Sequence, residues 1–472
     1  MTNTSVPIDT LIEEYVNEHW NDVLADLETL VAIPSYREDQ KAAPEQSAPF
    51  GPGPRAALTA ILEIAQRMGF DTTDLDGHLG FADYKGAEGA SKQIGIIGHV
   101  DVVPAGPGWT VEPYALTRKE GYLMGRGVAD DKGPVVVALH AMNLWKQLGI
   151  TLPYDIRFLF GAAEETGMED VAYYRERYSD PDFLFTPDAE FPVCYGEKGH
   201  YDGKIVSPVM NPETRAVTHI EGGTAPNAVP GSAFALVKCE NPAALTAADR
   251  ITVTDLGDGT ARIDAAGKCQ HASIPEGGIN AIGLLVQYLL DNNLCNSEER
   301  SFFELEMRLL GCTDGSGFGC NCADADFGAL TMVGGMISTD ECGRFEQTVD
   351  SRFPTSITVD ELEERIRCAT CKSHASLWRT SVQEPFLMDP NCPEVQTLLN
   401  AYNSATGENA QPFTMGGGTY ARMFSKAASF GPEKPWIEAP EWVGGMHGPN
   451  EGVSESLLKE AFRIYARVLP QF

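Results

Sequence analysis

Basic charge is scarce in this chain: 35 Lys and Arg stand against 67 Asp and Glu, a formal net charge of −32. Such a field repels phosphate backbones and anionic lipid surfaces, which excludes nucleic acid and membrane as expected partners. Long apolar runs are also missing, and none approaches the roughly 20 residues needed to span a bilayer. Met1 to Pro7 holds neither a basic nor an apolar segment, so no secretory signal is expected and a cytoplasmic location is. No internal repeat and no low-complexity tract interrupts the sequence. The 11 cysteines are few for 472 residues and odd in number, which fits reduced thiols. Two spacings among them, Cys320-x-Cys322 and Cys368-x-x-Cys371, have the form of a four-thiolate structural zinc site. The alternative is packing, because Cys368 and Cys371 fall in a helical pattern that opens at the capping signature Thr358-x-x-Glu361.

At this length two or three domains are expected, and 47 Gly with 30 Pro imply many loops. Apolar residues at helical spacing predict helices over 10–30, 55–68 and 132–148, with 35–54 as a Pro- and Gly-rich loop. Apolar runs predict buried strands over 94–99, 154–163 and 183–185. Alternating strands and helices imply a mixed, mostly parallel sheet with helices on both faces, whose ligands emerge at strand ends. Between about 200 and 383 the pattern changes to alternating strands (251–256, 261–265) with helices at 279–291 and 359–371. Helical patterns return at 395–403, 420–424 and 455–468. The expected organisation is an α/β catalytic domain, 1–199 and 385–472, interrupted by an inserted α+β domain, 200–384. None of the ligand-like residues falls in the insert.

The chemistry-bearing residues cluster at the ends of those apolar runs. His99-x-Asp101 closes the run from Ile94, and Gly125-Arg126-Gly127-Val128-Ala129-Asp130-Asp131-Lys132-Gly133, Glu164-Glu165, Asp188 and His447 follow. Spaced carboxylates and histidines of this kind suit two metal ions sharing a carboxylate bridge. Two acids ending a hydrophobic strand need a reason, since burying charge is costly. Gly416 to Gly418 lack the Lys-Ser/Thr of a phosphate cradle and read as backbone that approaches a substrate. His19, His78, His140, His200, His219 and His374 fall outside the motifs and read as surface or structural.

These motifs, with Gly98-His99-Val100-Asp101-Val102-Val103-Pro104, Glu164-Glu165-Thr166-Gly167 and His271, resemble the metallopeptidase family of aminoacylases, glutamate carboxypeptidases, succinyl-diaminopimelate desuccinylases and dipeptidases. Thr186-Pro187-Asp188-Ala189-Glu190-Phe191-Pro192, Gly196-Glu197-Lys198-Gly199 and Met415-Gly416-Gly417-Gly418-Thr419-Tyr420-Ala421-Arg422 resemble its bacterial PepV-type dipeptidase branch. The resemblance implies that Asp130 bridges two ions, one completed by His99 and Asp188, the other by Glu165 and His447. Family register places Asp130 rather than Asp131 in that role, with a strained peptide between them. Zn²⁺ is the expected ion, with Mn²⁺ and Co²⁺ as alternatives.

By the same resemblance Glu164 is the general base, and Asp101 hydrogen-bonds the His99 imidazole to fix its tautomer. His271 stabilises the oxyanion, and Arg352 clamps the substrate's α-carboxylate, a salt bridge to a nearby acid being its alternative. Asn227 and the backbone of Gly417 join the substrate pocket. The insert is then a lid, and its enlarged form implies a monomer. The expected activity is hydrolysis of unblocked dipeptides. Its rivals are deacylation of N-acyl amino acids, carboxypeptidase action, or a non-catalytic peptide- or metal-binding relative.

Overall fold

The computed structural model describes residues 6–37 and 47–472, so part of the predicted 35–54 loop lies outside the described residues. The chain divides into two compact units. One comprises Met1–Tyr195, Leu387–Phe413 and Gly418–Phe472; the other comprises Gly196–Phe386 with Thr414–Gly417. The units meet in sequence a few residues from the expected junctions. Thr414–Gly417, expected in the first unit, instead joins the second. There the Met415 carbonyl accepts the Lys198 amide at 2.9 Å, and the Gly416 carbonyl accepts Arg352 Nη1 at 3.2 Å.

The first unit is built on a mixed sheet with strand order 71–75, 79–84, 155–161, 93–99, 183–186, 427–429 and 194–197. Its centre is parallel: Gln93–His99 runs beside both Asp155–Gly161 and Phe183–Thr186, and Ala427–Ser429 runs beside the latter. The hairpin Asp71–Leu75 and Leu79–Tyr84 closes one edge antiparallel. The central strands read as apolar runs because both faces are covered. Helices Ile8–Val31, Pro52–Arg67, Lys132–Gln147, Pro393–Thr406 and Glu455–Val468 contribute to one continuous apolar core with them. Lys132–Gln147 is buried along nearly its whole length, which explains the Val-Val-Val-Ala-Leu run within it. The helix expected from residue 55 starts at Pro52, where proline suits a first helical turn. The pattern at 420–424 is a single 3₁₀ turn, Tyr420–Met423.

The second unit has its own core and its own sheet, ordered 251–257, 260–266, 232–238, 217–222, 337–339, 345–353, 199–206 and 376–383. The pairings along it are antiparallel, for example Gly199–Val206 against both Phe345–Phe353 and Ser376–Gln383. Helix Val359–Thr370 opens with the expected capping box of Thr358 and Glu361. A second capping box, Asn296 with Glu299, opens the unforeseen helix Ser297–Leu310.

Candidate metal centre and substrate-binding residues

Parallel strands deliver the first unit's acids and histidines to one end of its sheet. His99 is the last residue of its strand, Glu164–Thr166 is a 3₁₀ turn just beyond Asp155–Gly161, and Asp188 lies just beyond Phe183–Thr186. Asp131 stands at the N-terminus of helix Lys132–Gln147, with Asp130 before it across a cis peptide. Close packing here depends on Gly98, where an added Cβ would meet Val135 and Asp131 side-chain atoms at 2.4 and 2.5 Å.

Asp130 lies between the two imidazoles. Its Oδ1 is 2.9 Å from His99 Nε2, and its Oδ2 is 2.9 Å from His447 Nε2. Asp188 Oδ2 approaches His99 Nε2 at 3.6 Å, and Glu165 Oε1 approaches His447 Nε2 at 3.1 Å. The structure therefore gathers two triads, His99–Asp130–Asp188 and Asp130–Glu165–His447, that share one carboxylate. His99 shows how well this set fits a metal. Its Nδ1 lies 2.9 Å from the Asp101 carbonyl and must donate to it, so that in the neutral ring the fully buried Nε2 presents a lone pair. That Nε2 makes no hydrogen bond. A buried imidazole nitrogen aimed at carboxylates without a hydrogen-bond partner is the geometry a cation completes.

The electrostatics describe a site built for positive charge. Burial alone would depress His99, but Asp188, Asp101 and Asp130 outweigh it and push the imidazole well above its usual range. The Asp130 and Glu165 carboxylates push His447 up to about 11. Burial, reinforced by Asp130, pushes Glu165 up to about 7. Glu164 is raised well above the carboxylate range, first by burial and then by Asp188, Glu165 and Asp130. Like charges at this density repel unless a cation lies among them.

One sequence expectation changes in detail. Asp101 fixes the His99 tautomer through its backbone carbonyl, with its carboxylate oxygen 3.5 Å away. That carboxylate instead accepts the amides of Glu164 and Glu165 at 3.2 and 3.1 Å, which orients the acidic turn. Asp131 does not face the imidazole rings: its Oδ2 accepts the His99 amide at 3.1 Å. Lys132, fully buried, donates to the carbonyls of Leu30 and Ile33 at 2.9 and 2.8 Å.

Within the second unit, Arg352, Gly417, His271 and Asn227 are linked through their neighbours. Strands Ala228–Val229 and Gln270–His271 pair, and the Asn227 carbonyl accepts the Ala272 amide at 2.9 Å. His271 Nδ1 accepts the Ser273 amide at 3.2 Å and lies 2.6 Å from the Ser273 hydroxyl, which places the ring proton on Nε2. Ser273 in turn touches Gly416, where an added Cβ would come within 2.7 Å of the serine Cβ. Arg352 holds Asp350 through Nε and Nη2, both at 3.0 Å, and the Gly416 carbonyl through Nη1. A guanidinium has five N–H donors, so one on each Nη remains for a carboxylate approaching end-on. The salt-bridge reading of Arg352 and the clamp reading are compatible.

Three features escaped the sequence. His200, read as surface or structural, donates between Asp202 and Asp350 at 3.1 and 2.9 Å, so a ligand-like cluster does fall in the insert. Arg352 already supplies a cation to Asp350. Glu451 and Arg126 form a fully buried pair beside Asp130. Glu190 and Glu433 lie on paired strands next to Asp188, and burial, then the carboxylates of Asp130, Glu190, Asp188 and Glu451, lift Glu433 to about 8. The cysteine spacings gather no metal cluster among the described residues. Cys368 Sγ contacts Glu364 and Cys371 Sγ contacts the Cys368 carbonyl, both at 3.4 Å, and both residues are exposed rather than packed.

Residues 95–471 match the sequence model of peptidase family M20/M25/M40. The chain belongs to that family. It is 31% identical over 471 residues to a putative dipeptidase of Staphylococcus epidermidis, covering 97% of this chain and 98% of the relative. A putative dipeptidase of Staphylococcus haemolyticus is 32% identical over 475 residues at the same coverage. The fold of this family member is similar to that of human carnosine dipeptidase 1, with a TM-score of 0.60 and 16% identity over 98% of both chains. Dug1p, a dipeptidase of Saccharomyces cerevisiae, superposes with a TM-score of 0.59 and 13% identity over 98% of both chains. The chain is a metallohydrolase of this family, and no described helix is long and apolar enough to cross a membrane.

Proposed function

We propose that this member of the family hydrolyses the peptide bond of unblocked dipeptides, in the manner of a PepV-type dipeptidase. The observation that carries the proposal is Asp130, with one oxygen toward each imidazole of two ligand triads. Two divalent ions held by His99, Asp130, Glu165, Asp188 and His447 would polarise the scissile carbonyl and acidify a water. Zn²⁺ fits two imidazoles and three carboxylates, as do Mn²⁺ and Co²⁺. Burial and the neighbouring carboxylates raise Glu164; with the two cations bound beside it, it would ionise, take the proton of the attacking water and return it to the leaving amine. Asp101 holds Glu164 in place through its amide. By the family resemblance, His271 would donate from Nε2 to the developing oxyanion and Arg352 would offer its remaining donors to the α-carboxylate, with Asn227 and Gly417 as further substrate-binding candidates.

The restriction to a free amine follows from charge. Glu190 and Glu433 add carboxylates beyond the ligands, and no ion pair engages either among the described residues. An ammonium group against them would favour their charged forms, which burial otherwise disfavours, and a neutral N-acyl group would not. The test is hydrolysis of a free dipeptide beside its N-acetylated form, by metal-stripped protein resupplied with Zn²⁺, Mn²⁺ or Co²⁺. Metal-dependent cleavage of the free form alone is expected. Activity confined to the blocked form moves the protein to N-acyl amino acid deacylation, and none on either leaves a binding relative.

A further inference from the structure

Arg126 and Glu451 are 325 residues apart in sequence and 1% or less exposed, with Arg126 Nη1 2.6 Å from Glu451 Oε2. Each does more than hold the other. Glu451 accepts the amides of Gly127 and Ala129 at 3.0 Å and of Asp130 at 3.2 Å. Arg126 Nη2 donates to the carbonyls of Pro104 at 3.4 Å, Ala105 at 3.3 Å and His447 at 3.2 Å. Three separate segments converge on one ion pair: the stretch after His99, the turn that presents Asp130, and the loop that presents His447. Every hydrogen bond to those segments is to backbone, so the pair sets where the ligand-bearing chain runs.

We propose that Arg126 and Glu451 are positioning residues that fix His447 against Asp130 and so tune the affinity of the Asp130–Glu165–His447 ion over that of the His99–Asp130–Asp188 ion. The inference rests on the two-ion reading above. His447 is the ligand with least support of its own: it sits in a loop, at a left-handed φ of 62°, with a side chain 54% exposed. His99 by contrast is locked in a central strand and fully buried. The loop is held from both sides, since Glu451 follows His447 by four residues and Arg126 grips the His447 carbonyl. Stability alone does not explain a buried ion pair, because two apolar residues of similar volume commonly do as well. Geometric control of a ligand does explain it, and partners behind metal ligands typically shift affinity 10–100-fold.

The experiment compares wild type, Glu451→Gln, Arg126→Lys and the double variant. Each is stripped of metal, checked for its unfolding transition by calorimetry, then titrated with buffered Zn²⁺ while bound zinc per chain is counted. Glu451→Gln keeps the shape and an acceptor oxygen, so it reports even if Arg126→Lys fails to fold. The expected result is two ions in wild type and, in each variant, roughly 10–100-fold weaker binding of one ion with the other within about threefold of wild type. The double variant should lose little more than either single one, because the pair acts as a unit. Equal weakening of both ions, or a lowered unfolding temperature of the metal-free chain with both affinities unchanged, overturns the proposal. A wild type that binds fewer than two ions overturns the two-ion reading and the positioning role with it.

Discussion

Glu164 and His271 separate two kinds of contribution to catalysis at the level of single side chains. If Glu164 acts as the proposed base and not as a ligand, Glu164→Ala should leave metal content unchanged and lower kcat about 10²–10⁴-fold. Metal analysis beside steady-state rates checks this, and surviving activity removes Glu164 as the base. His271→Ala should cost about 10²–10³ in kcat at unchanged metal content, as loss of an oxyanion donor does; a lost ion would make it a ligand. Asp350→Asn should loosen the fork on Arg352 and raise KM for free-carboxylate substrates more than it lowers kcat. A wild-type KM would deny Asp350 that role. The residues that gather into the two triads were legible because charged residues at the ends of apolar runs stand out. Glu451 and Asp350 were not, because each acts on backbone amides or on another charged side chain, and neither leaves a signature in residue spacing.

The turn that carries Glu164 and Glu165 is anchored by Asp170, whose carboxylate accepts the amides of Ala162 and Ala163 at 2.8 and 3.1 Å and the Tyr420 hydroxyl. Burial lifts Asp170 from 3.8 to about 6. Between those values the folded chain keeps a proton that the unfolded chain has released. Its contribution to stability is therefore complete below about 3.8 and falls as pH rises through 6, by at most about 3 kcal/mol. Asp170→Asn should flatten that segment of the stability–pH curve in denaturant titrations, and an unchanged slope would place the proton elsewhere. Among the elements, long helices were legible from periodicity, and Glu455–Val468 is predicted to the residue. The hairpin Asp71–Leu75 and Leu79–Tyr84 was missed because its first strand is largely polar at an exposed edge. Helix Ser297–Leu310 was missed because its first five residues are all polar or charged, which hides the apolar spacing that follows.

Two separate cores predict two unfolding transitions in calorimetry of the whole chain. All five proposed ligands belong to the first unit, so chelation should lower one transition and leave the other within about a degree, since a ligand stabilises only what binds it. A single shared shift would show that the units unfold together. Light scattering is expected to report a monomer, and a stable dimer would refute the inference drawn from the enlarged insert. The two-unit organisation was legible because the change from buried apolar runs to alternating strands marks it; Thr414–Gly417 was not, since four residues carry no pattern. The order of the ligands along the chain also bears on synthesis. His99 emerges from the ribosome early, but His447 and Glu451 come some 350 residues later. On the proposed ligand set, a nascent chain holds part of a metal site long before it can complete one, and the hydrolase is assembled only when the last segment folds back onto the first.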